Sequence, residues 1–402
     1  MTLASQYSLS RFVFIAAFLT SGLLISACST HTVRTTQAIP LLQEQNAIAE
    51  NELLDIGIHL FNPGLDDEAL EDKDSIVFPE IRKAEARFIP YNLMETLQSS
   101  AAWGAVRVIP STQSSVDVVV EGTILLSDGE KLELLVKVTD ATGLRWYEKE
   151  YQGIASKYAY SKHRSSNVPA EPFQNIYTEI ANDLLTFRRQ EMQSAQLQRI
   201  RTIAELKFAK SFSPESFSQH ITQTSSGEYK IQQLPATNDP MMQRIKLIRE
   251  RDYLFVDTLQ DYYASFIKDM EKPYRQWRQM SYDESVALRA MESEALGRKL
   301  AGIAAIVGGI MAAGSNSSSG RSAANIGIAS GAYIVKSGFD KSAESAMHVE
   351  ALQELGDSLE AAIEPQVIEL EDRTITLSGS VENQYGQWRE LLRDLYKIDT
   401  GI

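Results

Sequence analysis

Apolar residues in this chain recur first at every second position and later at every third or fourth, a change that separates an α/β half from a helical half. In ELLDIGIHLF at 52–61, Leu54, Ile56, Ile58 and Leu60 alternate with other residues and predict a strand. Helical spacing runs from Pro79 to Ser100, with Pro90 expected to end or kink a turn. Four more period-two runs follow: GAVRVIP at 104–110, VDVVVEGTILLSD at 116–128, EKLELLVKVTD at 130–140 and LRWYEKEY at 144–151. Asp128-Gly129 predicts a tight hairpin, and Asp140-Ala141-Thr142-Gly143 a second turn. Leu132, Leu134, Val136 and Val138 share one face against Glu133 and Lys137, so one face of the sheet is packed and the other wet. PFQNIYTEIANDLLTF, from Pro172, predicts a closing helix. The order βαββββα gives an α+β fold, a small, mainly antiparallel sheet with helices on one face.

The second half changes period. Residues 174–210 read as one charged helix, and 211–240, rich in Ser, Thr, Gly and Pro, as a linker. Met241, Ile245, Ile248, Phe255, Leu259, Tyr262 and Phe266 form the stripe of a long amphipathic helix that stops near Pro273. Tyr253, Tyr262, Tyr263, Tyr274, Trp277 and Tyr282, interleaved with Arg275 and Arg278, suit either a core or a surface that stacks a glycan or single-stranded nucleic acid. A further helix from Ser281 leads into a Gly/Ala-rich αα-hairpin at 301–335. There Ala301, Ala305, Gly309 and Ala313 lie four apart, as do Ala323, Gly327 and Gly331 on the return, and such rows let helix backbones approach closely. The fourteen residues from Ala301 to Gly314 reach about 21 Å, short of a ~30 Å hydrocarbon layer. Three readings stand: a soluble packed hairpin, a contact between copies, or a hairpin that dips into a leaflet or joins others in a pore. After an amphipathic helix ending at Pro365, QVIELEDRTITLSGSV and YGQWRELLRDLY predict a ββα cap with Trp388 in its core.

The N-terminus adds an address. A polar start ending in Arg11, an apolar run from Phe12 to Ile25 and then Ser26-Ala27-Cys28 have the layout of a secretory signal. Ile25-Ser26-Ala27-Cys28 resembles the lipobox of bacterial lipoproteins, which implies that peptidase recognises Ile25, Ser26 and Ala27 and that Cys28 carries diacylglyceryl and a further acyl chain. Two or more chains make a stable anchor. Cys28 is the one cysteine, so no disulfide forms within the chain. Ser29 follows it, and in lipoproteins of this type the absence of aspartate there implies the outer membrane, with the body facing the periplasm. The expected organisation is a signal peptide at 1–27, a tether at 28–50, an α+β docking domain at 51–190, a helix and linker at 191–240, a helical module at 241–364 and the cap at 365–402.

VDVVVEGTILLSDGEKLELLVKVTDATGLRWYEKEY, preceded by a helix and an Ala-Trp-Gly-Ala-Val-Arg-Val strand, resembles the small α/β domain of several periplasmic lipoprotein families. These are the auxiliary lipoproteins of ABC-type lipid transport, the penicillin-binding-protein activators and the curli-secretion lipoproteins. The resemblance covers roughly residues 50–190. It implies a non-enzymatic domain that binds other envelope proteins or assembles into rings. A net charge of −14 without a segregated basic patch disfavours nucleic acid. No HExxH, Walker A, GxGxxG or paired-cysteine motif is present, and His31, His59, His163, His220 and His348 are scattered singly, so no cofactor, metal or catalytic residue is expected. Ser265-Phe-Ile-Lys268 has the SxxK spacing without its companion motifs. The expectation is a lipid-anchored accessory subunit of a Gram-negative envelope assembly, binding periplasmic or outer-membrane proteins through strand edges in 104–151 and the Gly/Ala rows. The alternatives are a ring- or pore-forming homo-oligomer of a secretion or transport system, and an envelope glycan binder or hydrolase.

Overall fold

The computed structural model describes residues 38–65, 79–110, 115–156, 158–160, 171–312, 366–370 and 373–400, with backbone alone at 80, 284, 287–312, 366–370 and 373–374. All belong to one unit, Thr36–Ile402. Its centre is a five-stranded sheet of β1 (Ile56–His59), β2 (Val106–Ile109), β3 (Val118–Ser127), β4 (Lys131–Asp140) and β5 (Arg145–Ile154), in the order β2-β1-β3-β4-β5. Short β1 pairs in parallel with both β2 and β3, whereas the long β3-β4 and β4-β5 ladders are antiparallel. By length the sheet is therefore mainly antiparallel.

Helices α1 (Pro79–Ser99) and α2 (Gln174–Glu191) cover one face. The expected alternation on β4 holds: Leu132, Leu134, Val136 and Val138 are buried in one core with Leu93, Leu97, Ile180 and Leu184. The opposite face is wet, and there Lys137 Nζ meets Glu121 Oε2 at 2.7 Å. α1 does not end at Pro90 but continues to Ser99, with Phe88, Ile89, Leu93 and Leu97 holding both of its halves against other apolar side chains.

Several expectations about the helical half are corrected. The single charged helix over 174–210 is two helices, α2 and α3 (Ser194–Phe212). They part at Met192 and Gln193, where Gln193 and Gln196 exchange side-chain-to-backbone bonds in a capping box. The 211–240 linker is largely folded: α4 (Pro214–Phe217) and a hairpin of β6 (Ile221–Gln223) and β7 (Tyr229–Ile231) bury Phe217 and Ile221, and Tyr229 N–H donates to Thr142 O at 2.7 Å. Serine and glycine there make turns, not slack.

The largest correction concerns Pro273. A single helix, α5, spans Pro240–Ala312, 73 residues and so ~110 Å at 1.5 Å each. Asp239 Oδ1 caps it by accepting from Met241 and Met242 N–H. An internal proline costs about 3 kcal/mol. Around it Met270, Tyr274 and Trp277 bury against Ile81, Ala84 and Phe88 of α1, each side chain contributing roughly 1.5–3 kcal/mol. Packing thus outweighs the missing backbone bond. The stripe itself is as expected, with Ile245, Ile248, Phe255, Leu259 and Phe266 buried. The C-terminal strands β8 (Gln366–Leu370) and β9 (Arg373–Leu377) pair with each other and do not extend the main sheet. Helix α6 (Val381–Thr400) lies on α5, where Trp388 stacks on Phe255 with ring centroids 5.1 Å apart.

Candidate docking interface

An open sheet ends in two edges, and a strand with unpaired N–H and C=O groups is a template for another chain. The two edges here are treated differently. At β2 the long helix seals the backbone: Val108 N–H donates to Gln260 Oε1 at 3.0 Å, and Gln260 Nε2 donates to Val108 O at 2.8 Å. The side-chain amide thus takes the place of a neighbouring strand. Arg107 reinforces it, donating to Asp257 Oδ2 at 3.0 Å with its guanidinium 4.8 Å from the Tyr253 ring centre.

Further along, α5 is fixed to the opposite end of the sheet layer. Tyr274 O–H donates to Glu85 Oε1 at 2.7 Å, Arg278 pairs with Glu171, and Ser281 and Ser285 hydroxyls donate to Asp128 O. Arg278 also lies 4.2 Å from the Tyr274 ring centre. Burial pushes the Glu85 carboxyl above its usual range, and Arg82, Ser127 and Tyr274 oppose that shift. Gly129 permits the approach: its φ is +80°, and a Cβ there would lie 2.5 Å from Arg278 O. The tyrosine-rich stretch is accordingly core. Tyr263, Tyr274 and Trp277 are buried, and the faces of Tyr274 and Trp277 stack on each other at 6.0 Å.

The β5 edge is open. Among the described residues no backbone group pairs with its outer side along Arg145–Ile154. Ala155 N–H donates to Glu130 O, and from that bond the alternation of an antiparallel ladder turns the N–H and C=O of Glu148, Glu150 and Gln152 away from β4. The side chains of Glu148, Lys149, Glu150 and Gln152 are exposed. On the helix side Lys149 Nζ joins Glu179 at 3.1 Å and Asp183 at 2.7 Å, and Tyr151 O–H donates to Asp183. On the wet side Arg145 pairs with Glu148, and Gln152 donates to Glu133.

Two further polar sites lie elsewhere. A cleft of about 610 Å³ between the turn at Glu50–Glu52, α3 and α5 is lined by Asp55, Asp117, Arg201, Lys246 and Arg249, among others. Its charges are mutually engaged: Arg201 donates to the Glu50 and Leu53 carbonyls, Lys246 pairs with Glu205, and Arg249 lies 3.9 Å from Asp117. Burial raises the Asp117 carboxyl to about 6 against the pull of Arg249. Asp252, between α5 and α6, is also raised by burial to about 6, with Arg389 and Tyr385 opposing. These buried acids, and Gln260, carried no signal in the sequence, since nothing local marks a carboxylate or an amide that a distant element will cover.

Of the residues singled out in the sequence, Ile25, Ser26, Ala27, Cys28, Ala313, Ala323, Gly327 and Gly331 lie outside the described residues. Ala301, Ala305 and Gly309 lie on α5, which continues ~40 Å past Ser285. His220 is buried, its Nδ1 2.9 Å from Gln233 O, and His59 Nδ1 is 4.0 Å from Glu121. Ser265 and Lys268 are exposed. Among the described residues no three His, Cys, Asp or Glu side chains are grouped to hold a metal, and no helix is long and apolar enough to cross a membrane.

No family model matches the chain, and no curated protein matches it. Among solved structures, a Xanthomonas campestris protein assigned to the family model DUF330 aligns at 11% identity over 40% of this chain and 95% of that one, with a TM-score of 0.21. A score that low carries no argument about fold or role.

Proposed function

We propose that the protein is a non-enzymatic, lipid-anchored accessory subunit of a Gram-negative cell-envelope assembly, held at the outer membrane through acylated Cys28 and docking periplasmic or outer-membrane proteins. The observation that carries the docking half is the ten-residue β5 edge, unpaired among the described residues while the opposite edge is sealed. The anchoring half rests on Ile25-Ser26-Ala27-Cys28 after an apolar run of signal-peptide length. Mass spectrometry of the mature protein should find Cys28 as an acylated first residue, and Cys28→Ser should release the protein from the outer-membrane fraction. An unmodified N-terminus, or unchanged sedimentation of the variant, removes the anchor from the reading.

A second reading is favoured by one feature. Helix α5 carries Ala301, Ala305 and Gly309 tens of ångströms past its last described anchor at Ser285. In that reading copies of the chain assemble into a ring or pore through the Gly/Ala rows. Light scattering of the full chain in detergent, with Gly309→Leu beside the parent, tests it: a mass unchanged by the substitution rejects the helix as the contact between copies.

A further inference from the structure

The two edges of the sheet differ in charge as well as in cover. Around β5 stand five carboxylates, Glu133, Glu148, Glu150, Glu179 and Asp183, and four cations, Arg145 and Lys149 of the strand itself and Lys131 and Lys137 of β4, with Lys137 opposite Glu148. Three of these cations are already engaged, Arg145 with Glu148, Lys137 with Glu121, and Lys149 with Glu179 and Asp183. Glu150 makes no ion pair among the described residues and stands on the wet face opposite Leu135. At the strand's own outward-turned positions Glu148, Glu150 and Gln152 the charge is negative, two carboxylates and no cation.

This pattern decides between occupants. A second copy of the chain, pairing β5 with β5 about a two-fold axis, must set outward-turned residues opposite one another. Registers centred at 148, 149 or 150 place Glu148 against Glu148, Glu148 against Glu150, or Glu150 against Glu150. Like charges directly opposite on a sheet are destabilising. The edge is therefore charged against self-pairing and leaves its backbone free for a strand of opposite sign.

We infer that β5 accepts an extended segment of a different protein as a sixth strand, and that this segment carries Lys or Arg at alternate positions facing Glu148 and Glu150. The inference deepens the docking reading above and rests on it. Backbone bonds to Glu148, Glu150 and Gln152 supply affinity, the alternate basic residues supply choice of partner, and half-buried Tyr147 lies on the opposite face. At one end of the strand Leu144 is exposed, and at the other Ile154 is half-buried.

The test is a selection from a random twelve-residue peptide library against the full chain in detergent, with residue-resolved hydrogen exchange on the selected peptides. Three chains are compared: the parent, Gln152→Pro and Glu150→Lys. Gln152→Pro removes an outward N–H that the β4 ladder does not use, and proline is tolerated at such edge positions. The expected result is enrichment of peptides with Lys or Arg at every second position, slowed exchange of the Glu148, Glu150 and Gln152 amides on binding, and about tenfold weaker binding to each variant. Circular dichroism and melting of the variants, matching the parent, show that the loss is not unfolding.

Each other outcome overturns the inference. These are no enrichment, enriched peptides without basic alternation, binding retained by Gln152→Pro, protection of the three amides in the free chain because its own residues occupy the edge, and a parent dimer that Gln152→Pro dissociates. Failure here with Cys28 acylated removes the basic-strand partner but leaves the anchored subunit. An unacylated Cys28 with selection as expected does the reverse.

Discussion

The β2 and β5 edges belong to one sheet and present the same kind of backbone, yet one is sealed by a helix and the other is unpaired among the described residues. At β2 a single amide, Gln260, satisfies both polar groups of Val108, and Arg107 bonds the next turn of the same helix through Asp257. At β5 the devices among the described residues are charges, which deter self-pairing without filling the hydrogen bonds. Sealing an edge demands a long element held in register, and α5 is held by anchors spread from Asp239 to Ser285. An open edge demands only that the rest of the fold be stable without it. One edge therefore belongs to the architecture, and the other is the one on which the docking proposal rests.

The comparison breaks most severely if α5 is loosened. Arg278→Ala removes a buried cation from Glu171 and from the rings of Tyr274 and Phe88, and should cost about 3–5 kcal/mol in urea unfolding. It should also speed hydrogen exchange at Val108, because the helix that covers β2 loses its central anchor. Exchange at Val108 unchanged in a destabilised variant would show that the seal is local.

Next in size is a pH effect at the far end of the same helix. Asp252 titrates near 6 in the folded chain against 3.8 as a free side chain. Because the folded value is the higher one, the contribution of this group is fully present below about 3.8 and is lost as pH rises through about 6, a change of about 3 kcal/mol. Asp252→Asn cannot ionise and still accepts from Tyr385. Its stability relative to the parent should therefore rise by about 2–3 kcal/mol between pH 4 and pH 7.5. A pH-independent difference would mean that Arg389 keeps Asp252 charged throughout.

Gln260→Ala is the direct cut at the seal. It leaves Val108 with an unpaired N–H and C=O, and should cost about 1–3 kcal/mol together with faster exchange at Val108. The smallest effect belongs to the open edge. Gln152→Pro should change stability by less than about 1 kcal/mol, since the lost N–H points away from β4. A large loss there would mean that the β5 edge is already covered within the chain.

Particular residues show how much was legible beforehand. The βαββββα order, the turn at Asp128-Gly129 and the buried face of Leu132, Leu134, Val136 and Val138 follow from a period of two and from turn residues, both local properties. Pro273 was read as a stop because proline is locally incompatible with a helix, and the energy that overrides it comes from α1, about 190 residues earlier in the chain. The turn between α2 and α3 failed for the opposite reason: Met192 and Gln193 carry no strong breaker, and the capping box that parts the helices uses glutamines. That the sheet has its edge strands in the stretch from 104 onward was legible, but nothing local distinguishes the edge that a helix covers from the edge that is unpaired among the described residues.

The sequence by itself determined what its own neighbours enforce: the strands and their packed face, the hairpin turns, the amphipathic stripe from Met241 to Phe266, and the lipobox-like run ending at Cys28. Only the tertiary structure decided that Gln260 meets Val108, that Asp117 and Asp252 are buried, that α5 survives Pro273 and that β5 is the open edge. The physical reason is range. Periodicity and turn chemistry act over a few residues, whereas burial, edge pairing and carboxylate titration depend on elements that folding brings together from 100 residues away and more.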